Sequence, residues 1–139
     1  MTTTKKATVL AILSVFLLVL IQFSSYATNI SGIMPRWNGV GNVNTSLAFY
    51  GDEGEAIASI DRGDTVTSLN GTLTVYKYVN GAWICVDSVT KSTTRATLSM
   101  MIVFDGISNV EYKMELVVTA YNGTSVIEEI TDVKYARCS

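Results

Sequence analysis

The sequence contains no histidine, one proline and two cysteines among its 139 residues. The absence of histidine excludes Ser-His-Asp and Cys-His nucleophilic arrangements and removes imidazole from the available zinc ligands. Paired carboxylates remain, because twelve Asp and Glu residues are present, but glycoside hydrolysis by such a pair also requires a cleft and a raised pKa. We therefore expect that the protein is not an enzyme, with no catalytic residues, no metal site and no cofactor.

The hydrophobic stretch near the N-terminus is too short for an ordinary membrane-spanning helix. It covers residues 7–21, whereas crossing a bilayer takes about 20 apolar residues. Two lysines precede it, and Ser25 and Ala27 follow it in the small-x-small pattern of a secretory cleavage site. These features predict a signal peptide over residues 1–27 and secretion of the remainder. The alternative is an uncleaved single-pass anchor with the domain outside the cell.

Basic residues are scarce in the rest of the chain. Of ten Lys and Arg residues, Lys5 and Lys6 belong to the signal segment, which leaves eight basic against twelve acidic side chains. This balance disfavours nucleic acid as a partner, because binding to it relies on Lys and Arg at the phosphates. The remaining 28–139 segment suits one domain with one core. We divide the chain into the signal peptide at 1–27, a lead-in at 28–38 and a domain at 39–139.

The segment after the signal is rich in Val, Thr, Ile and Tyr, which favour β-strands. Asn-Gly tolerates the positive φ that both central residues of a type I′ turn require. The predicted hairpins are 72–79 with 82–89 across Asn80-Gly81, and 112–121 with 124–130 across Asn122-Gly123. Further predicted strands are 43–50, 55–60 and 95–104, and residues 133–138 either add a last strand or extend the one before it. About seven short strands with frequent turns indicate an all-β, antiparallel two-sheet sandwich.

Residues 112–123 resemble the penultimate strand and turn of fibronectin type III and immunoglobulin-like domains. Their sequence is Tyr-Lys-Met-Glu-Leu-Val-Val-Thr-Ala-Tyr-Asn-Gly, in which a tyrosine opens the strand, apolar residues alternate and a turn leads to the last strand. The resemblance implies an immunoglobulin-like sandwich in which the Tyr112 hydroxyl bonds the backbone between Gly106 and Asn109. The two cysteines do not occupy that family's paired positions.

The chain as a whole is similar to small secreted proteins of Gram-positive gut bacteria. The shared features are the signal peptide, a Pro-Arg-aromatic start at Pro35-Arg36-Trp37, and a hairpin in which Tyr-Lys precedes Asn-Gly and Trp follows it. This resemblance implies a bacterial, secreted protein and no particular activity.

Cys85 and Cys138 are the candidates for a disulfide. Outside the cytoplasm two cysteines often pair, and closing a loop of about 50 residues would stabilise the fold by roughly 4 kcal/mol. The alternative is two free thiols, one buried at Cys85 and one in a frayed C-terminal end at Cys138.

Aromatic residues in the first predicted hairpin are the candidate binding residues. Strand periodicity places Tyr76, Tyr78 and Trp83 on one face. The other face then carries Leu73, Val75, Ile84 and Val86. If the aliphatic face is core, the aromatic side chains are exposed and can stack on sugar rings or on a partner protein. If the aromatic face is core, these side chains are ordinary packing.

Arg62-Gly63-Asp64 is the tripeptide that integrin ligands display on an exposed loop. It lies between two predicted strands, and its simpler interpretation is a turn in which Gly63 supplies an unusual φ.

Taken together, these features predict a secreted β-sandwich that acts by surface binding to a protein or a glycan. The alternative is a membrane-anchored structural or accessory domain of the bacterial cell envelope.

Overall fold

The computed structural model describes residues 39–139, most of which belong to seven β-strands. The strands are β1 Val40–Tyr50, β2 Glu53–Arg62, β3 Ser68–Val79, β4 Ala82–Thr93, β5 Thr97–Asp105, β6 Glu111–Asn122 and β7 Ser125–Arg137. Within this range there is no helix that is long and apolar enough to cross a membrane. The predicted signal peptide at 1–27 and lead-in at 28–38 lie outside the described residues.

The strands form two antiparallel sheets, which confirms the predicted sandwich. One sheet has the order β1-β2-β5 and the other the order β4-β3-β6-β7. The tight hairpins β1–β2, β3–β4 and β6–β7 each stay within one sheet, because a short turn can only place the next strand beside the last one. The connections β2–β3, β4–β5 and β5–β6 pass from one sheet to the other.

The core lies between the sheets and is made by every second residue of the inner strands. In β6 the buried side chains alternate with outward ones, because successive side chains of a strand point to opposite faces. The same alternation in β5 buries Leu98, Met100, Ile102 and Phe104. Residues 39–139 contain no buried polar or charged side chain, so the stability of this core comes from apolar burial.

The Tyr112 hydroxyl closes the β5–β6 connection as the resemblance implied. It accepts a hydrogen bond from the backbone N–H of Ile107 at 2.9 Å, and the Tyr112 side chain is buried. The ring centroids of Phe49 and Phe104 lie 5.1 and 5.2 Å from that of Tyr112. This aromatic group fills the lower end of the sandwich, which is the end that holds the β1–β2 and β3–β4 turns.

The two Asn-Gly hairpins differ in their turns. Asn80 and Gly81 both have positive φ, at 51° and 83°, as predicted for a type I′ turn. In the second hairpin Asn122 pairs with Ser125, so the central residues are Gly123 and Thr124, and the predicted Asn122-Gly123 turn is wrong by one residue. The positive φ falls on Gly123 alone, at 59°. Glycine adopts positive φ at lower cost than Asn, so a turn with Gly first satisfies the hairpin while Asn122 stays in the strand.

The other strand predictions hold in outline. The predicted segments 43–50, 55–60 and 95–104 overlap β1, β2 and β5, and of the two alternatives for residues 133–138 the structure shows the extension, since β7 runs to Arg137. The β1–β2 turn is tight. Only Gly51 and Asp52 form it, and Glu53 already pairs with Tyr50 in the sheet.

Cys85 and Cys138 do not form the predicted disulfide, because they are too far apart. Cys85 pairs with Tyr76 in the β3–β4 ladder and is exposed on the outer face of the four-stranded sheet. Cys138 is buried just beyond the end of β7, with its Sγ 3.8 Å from the carbonyl oxygen of Gly51. The two side chains therefore lie on opposite sides of the sheet, which the sequence separation could not reveal.

This arrangement predicts unequal reactivity of the two thiols. We expect an aromatic disulfide reagent to react rapidly with one thiol per native molecule and with a second only after unfolding, because reaction requires access to the sulfur. The released chromophore measures both phases by absorbance. Cys85→Ser removes the fast phase and Cys138→Ser retains it. Two fast equivalents, or none, in the native protein would contradict the structure.

Candidate functional site

The β3–β4 hairpin has its aliphatic face in the core and its aromatic face outside. Leu73 and Val75 are fully buried, which decides between the two interpretations of this hairpin. Tyr78 lies opposite Trp83, and Tyr76 lies opposite Cys85, as the hairpin register predicts. Ile84, which was expected on the core face, is 46% exposed near the hairpin tip.

Four aromatic side chains from three strands meet on this outer face. We call Tyr76, Tyr78, Trp83 and Tyr135 the aromatic cluster. The Trp83 ring centroid lies 5.0 Å from that of Tyr78 and 5.9 Å from that of Tyr135. Trp83 is partly buried, whereas Tyr78 and Tyr135 are 44% and 60% exposed. Trp83 is thus the centre of the cluster and the two tyrosines are its open flanks.

Tyr135 is the member that sequence reasoning missed. It lies on β7 and pairs with Lys113 of β6, which in turn pairs with Tyr76 of β3. Its place in the cluster follows from the register of three neighbouring strands. The β7 register also contains an irregularity between Ala120 and Tyr121 of its partner strand, so counting from the turn gives the wrong side for this residue.

Lys113 lies against two rings of the aromatic cluster, those of Tyr76 and Trp83. Its Nζ is 4.4 Å from the ring centroid of Tyr76 and 5.3 Å from that of Trp83, within the range of cation–π attraction. The same Nζ lies 3.4 Å from Oε2 of Glu115, and only 16% of the Lys113 side chain is exposed. These contacts favour one orientation of Tyr76 and Trp83 without a ligand, and such preorganisation lowers the entropic cost of binding.

The shape of the aromatic cluster limits what it can hold. The Tyr78 and Tyr135 rings are inclined by 52° and 54° to the Trp83 ring, so the cluster is not a flat platform. An inclined row of exposed rings offers apolar faces with tyrosine hydroxyls at their edges. Such a surface fits a ligand that alternates apolar faces with polar groups, such as a chain of sugar rings.

Hydroxyl side chains occupy the outer face above the aromatic cluster. Thr72 and Thr90 form a hydrogen bond of 2.9 Å across β3 and β4, and Thr74 and Ser88 form another of the same length. We call these four residues the hydroxyl stripe. It joins the aromatic cluster to the upper end of the sandwich, which holds the β2–β3, β4–β5 and β6–β7 connections.

The Arg62-Gly63-Asp64 tripeptide ends β2, and its arginine is already engaged. Nη1 of Arg62 donates hydrogen bonds to the carbonyl oxygens of Thr67 at 3.0 Å and Thr94 at 2.8 Å. The φ of Gly63 is not positive, so the expected unusual φ is wrong. Glycine is needed there for a close approach, because a Cβ would lie 2.8 Å from the carbonyl oxygen of Gly39.

Carboxylates do not gather into a metal site in the described part of the chain. No group of three or more His, Cys, Asp or Glu side chains within residues 39–139 is placed to hold a metal ion.

No protein-family model and no curated protein matches the sequence. Among solved structures, a β-glucuronidase from Parabacteroides merdae aligns with a TM-score of 0.44 and 14% identity, over 73% of this chain and 13% of that one. OgpA from Akkermansia muciniphila aligns with a TM-score of 0.41 and 16% identity, over 73% and 29%. Spo0M, a sporulation control protein from Bacillus subtilis, aligns with a TM-score of 0.37 and 14% identity, over 71% and 48%. The chain spans less than half the length of each, and likeness at this level says nothing about ligand or activity.

Proposed function

We propose that the protein is a secreted, non-catalytic binding domain that holds a glycan chain on its aromatic cluster. The observation that carries the proposal is the position of the exposed Tyr78 and Tyr135 rings on either side of Trp83. Large aromatic side chains are normally buried in a small domain, because each one removes a large apolar area from water. A preordered group of them on the surface indicates a site that a ligand covers.

A sugar ring suits this site for two reasons. Its C–H bonds can pack against an aromatic face, while its hydroxyls remain free to bond with water, with tyrosine hydroxyls or with the neighbouring hydroxyl stripe. Each such contact contributes on the order of 1 kcal/mol, so three rings give only modest affinity. We expect a dissociation constant of about 0.1–1 mM, equivalent to roughly 4–5.5 kcal/mol.

A protein ligand is the second candidate, because Tyr and Trp are also enriched at protein interfaces. The inclination of the rings and the adjoining hydroxyl stripe favour the glycan.

Anchoring in the cell envelope is the alternative to release, and the N-terminal residue of the native protein distinguishes them. Thr28 in the first position supports release, whereas a retained Lys5 supports an anchor.

The role of Trp83 can be tested with a printed array of microbial, plant and mucin-type glycans, followed by calorimetry on the best ligand. We expect Trp83→Ala to weaken that binding at least tenfold, about 1.4 kcal/mol. The variant loses the central ring's own contact with the ligand, and it also loses the ring against which Tyr78 and Tyr135 pack. Far-ultraviolet circular dichroism checks that the variant is folded.

Tyr50→Ala is the matched control for this experiment. Tyr50 is a tyrosine exposed to 68%, but it lies at the end of β1 in the other sheet, so its loss should leave glycan affinity unchanged. Binding that survives Trp83→Ala, or an array on which no glycan binds, would overturn the proposed function.

A further inference from the structure

A shallow groove, open to solvent, lies on the same sheet face at its upper end. Its volume is about 720 Å³. We call it the upper groove. Its lining is Ser68, Leu69, Asn70, Ser92, Thr93, Thr94, Arg95, Tyr121, Gly123 and Thr124.

Hydrogen bonds between loops hold the walls of the upper groove. Arg62 ties the β2–β3 and β4–β5 connections together through its bonds to Thr67 and Thr94. Oγ1 of Thr67 accepts a hydrogen bond from the N–H of Gly123 at 2.8 Å and donates one to the carbonyl oxygen of Tyr121 at 3.2 Å. These hydrogen bonds link the β2–β3, β4–β5 and β6–β7 connections to one another, so the groove is formed without a ligand.

The side chains of the upper groove suit a ligand that carries both hydroxyl groups and a negative charge. Among the described residues that line it, the polar side chains are hydroxyls and one amide, and the only charged side chain is that of Arg95. Within residues 39–139 Arg95 is exposed and forms no salt bridge. The guanidinium of Arg62 adds positive charge behind Thr94. A planar guanidinium that lacks a protein carboxylate is suited to pairing with a ligand carboxylate or sulfate through two parallel hydrogen bonds.

The upper groove and the aromatic cluster are two ends of one surface. Both lie on β3 and β4, and the hydroxyl stripe fills the interval between them. From Tyr78 to Asn70 the strand covers about 26 Å at roughly 3.3 Å per residue. That span exceeds a single sugar and matches a short oligosaccharide that runs along the strands.

We propose that the upper groove is a second subsite of the glycan-binding surface and takes a sugar that carries a carboxylate or sulfate group, paired with Arg95. The inference rests on the proposed function, since the aromatic cluster holds the remainder of the same chain. The ligand is accordingly an anionic oligosaccharide, with its apolar sugar faces on Trp83 and its charge at Arg95.

The test compares each charged oligomer with its own uncharged form by calorimetry. The carboxylate probe is hexagalacturonate against its methyl ester, and the sulfate probe is a carrageenan hexamer against its desulfated form. We expect at least one charged form to bind about tenfold more tightly at low salt than its uncharged partner. That preference should shrink at about 0.5 M NaCl, because salt screens an exposed ion pair.

Arg95→Gln is expected to abolish the preference for the charged form and to leave the affinity for the uncharged form unchanged. Arg137→Gln is the matched control, because Arg137 is an exposed arginine at the lower end of β7. The preference should persist in that variant. Equal binding of charged and uncharged forms, or a preference that survives Arg95→Gln, would overturn the inference.

Failure of the inference can be told apart from failure of the proposed function. If Arg95→Gln changes nothing while Trp83→Ala weakens both the charged and the uncharged forms, the upper groove is not a subsite and the aromatic cluster still binds glycan. If Trp83→Ala leaves every affinity unchanged, the proposed function fails, and so does the inference that depends on it.

Discussion

Replacing Met100 by alanine is expected to lower the free energy of unfolding by about 2–5 kcal/mol, whereas replacing its neighbour Met101 changes it by less than about 0.5 kcal/mol. Both methionines belong to β5, but their side chains point to opposite faces of the strand. Met100 is 2% exposed in the core and Met101 is 57% exposed on the outer face of the three-stranded sheet. Truncating Met100 removes buried apolar atoms and leaves a cavity, while Met101 already faces water.

The two methionine variants form their own matched pair, because they share a residue type, a strand and a mutation. Urea unfolding followed by circular dichroism gives the free energies, provided that the dependence on urea concentration stays the same for all three proteins. A similar decrease in the free energy of unfolding for both variants, or a larger decrease for Met101→Ala, would contradict the burial of the Met100 face of β5.

Gly54→Ala is expected to destabilise the domain by about 3 kcal/mol, at the upper end of overpacking effects. Gly54 is buried in β2 against the Phe49–Phe104–Tyr112 aromatic group. A Cβ at this position would lie 2.5 Å from Cε2 of Phe104 and 2.8 Å from Cε1 of Phe49. Both distances are much shorter than a normal carbon–carbon contact. The two phenylalanine rings are packed against Tyr112, so moving them aside would break those aromatic contacts.

Gly41→Ala supplies the control for steric effects. Gly41 lies in β1, the partner strand of β2, and a Cβ there would come no closer than 3.8 Å to any neighbour. Its φ is not positive, so alanine fits and the free energy of unfolding should change by less than about 1 kcal/mol. Thermal and urea unfolding measure both variants. A Gly54→Ala protein as stable as Gly41→Ala would contradict the packing described for the lower end of the sandwich.

Much of the fold can be predicted from local sequence patterns. The alternation of apolar residues in β5 and β6 identifies the buried face, because strand geometry repeats every two residues. The Asn80-Gly81 turn and the Tyr112 hydroxyl bond are also local, since each involves residues within a few positions of one another. The apolar alternation and the Asn80-Gly81 turn can therefore be found in a single sequence, whereas the Tyr112 bond was predicted from the resemblance of residues 112–123 to immunoglobulin-like domains.

The candidate site could be predicted only in part. Tyr76, Tyr78 and Trp83 come from one hairpin, and their common face follows from its turn. Tyr135 and Lys113 join them through the β3–β6 and β6–β7 registers, which no short segment encodes. The upper groove is still less local, because its lining comes from the ends of β3, β4 and β6 and from the β4–β5 and β6–β7 connections, which are distant in sequence.

Local sequence was enough to predict the strand periodicity and the first hairpin turn, because each depends on interactions between residues close in the chain. Three outcomes could not be read from local sequence: the aromatic side chains face outward, Cys85 and Cys138 lie on opposite sides of one sheet, and Gly123 instead of Asn122 is the first central residue of the second turn. Those outcomes depend on how one sheet covers the other and on the register between strands distant in sequence. Burial and long-range pairing are properties of the assembled sandwich, and both parts of the proposed binding surface follow from them.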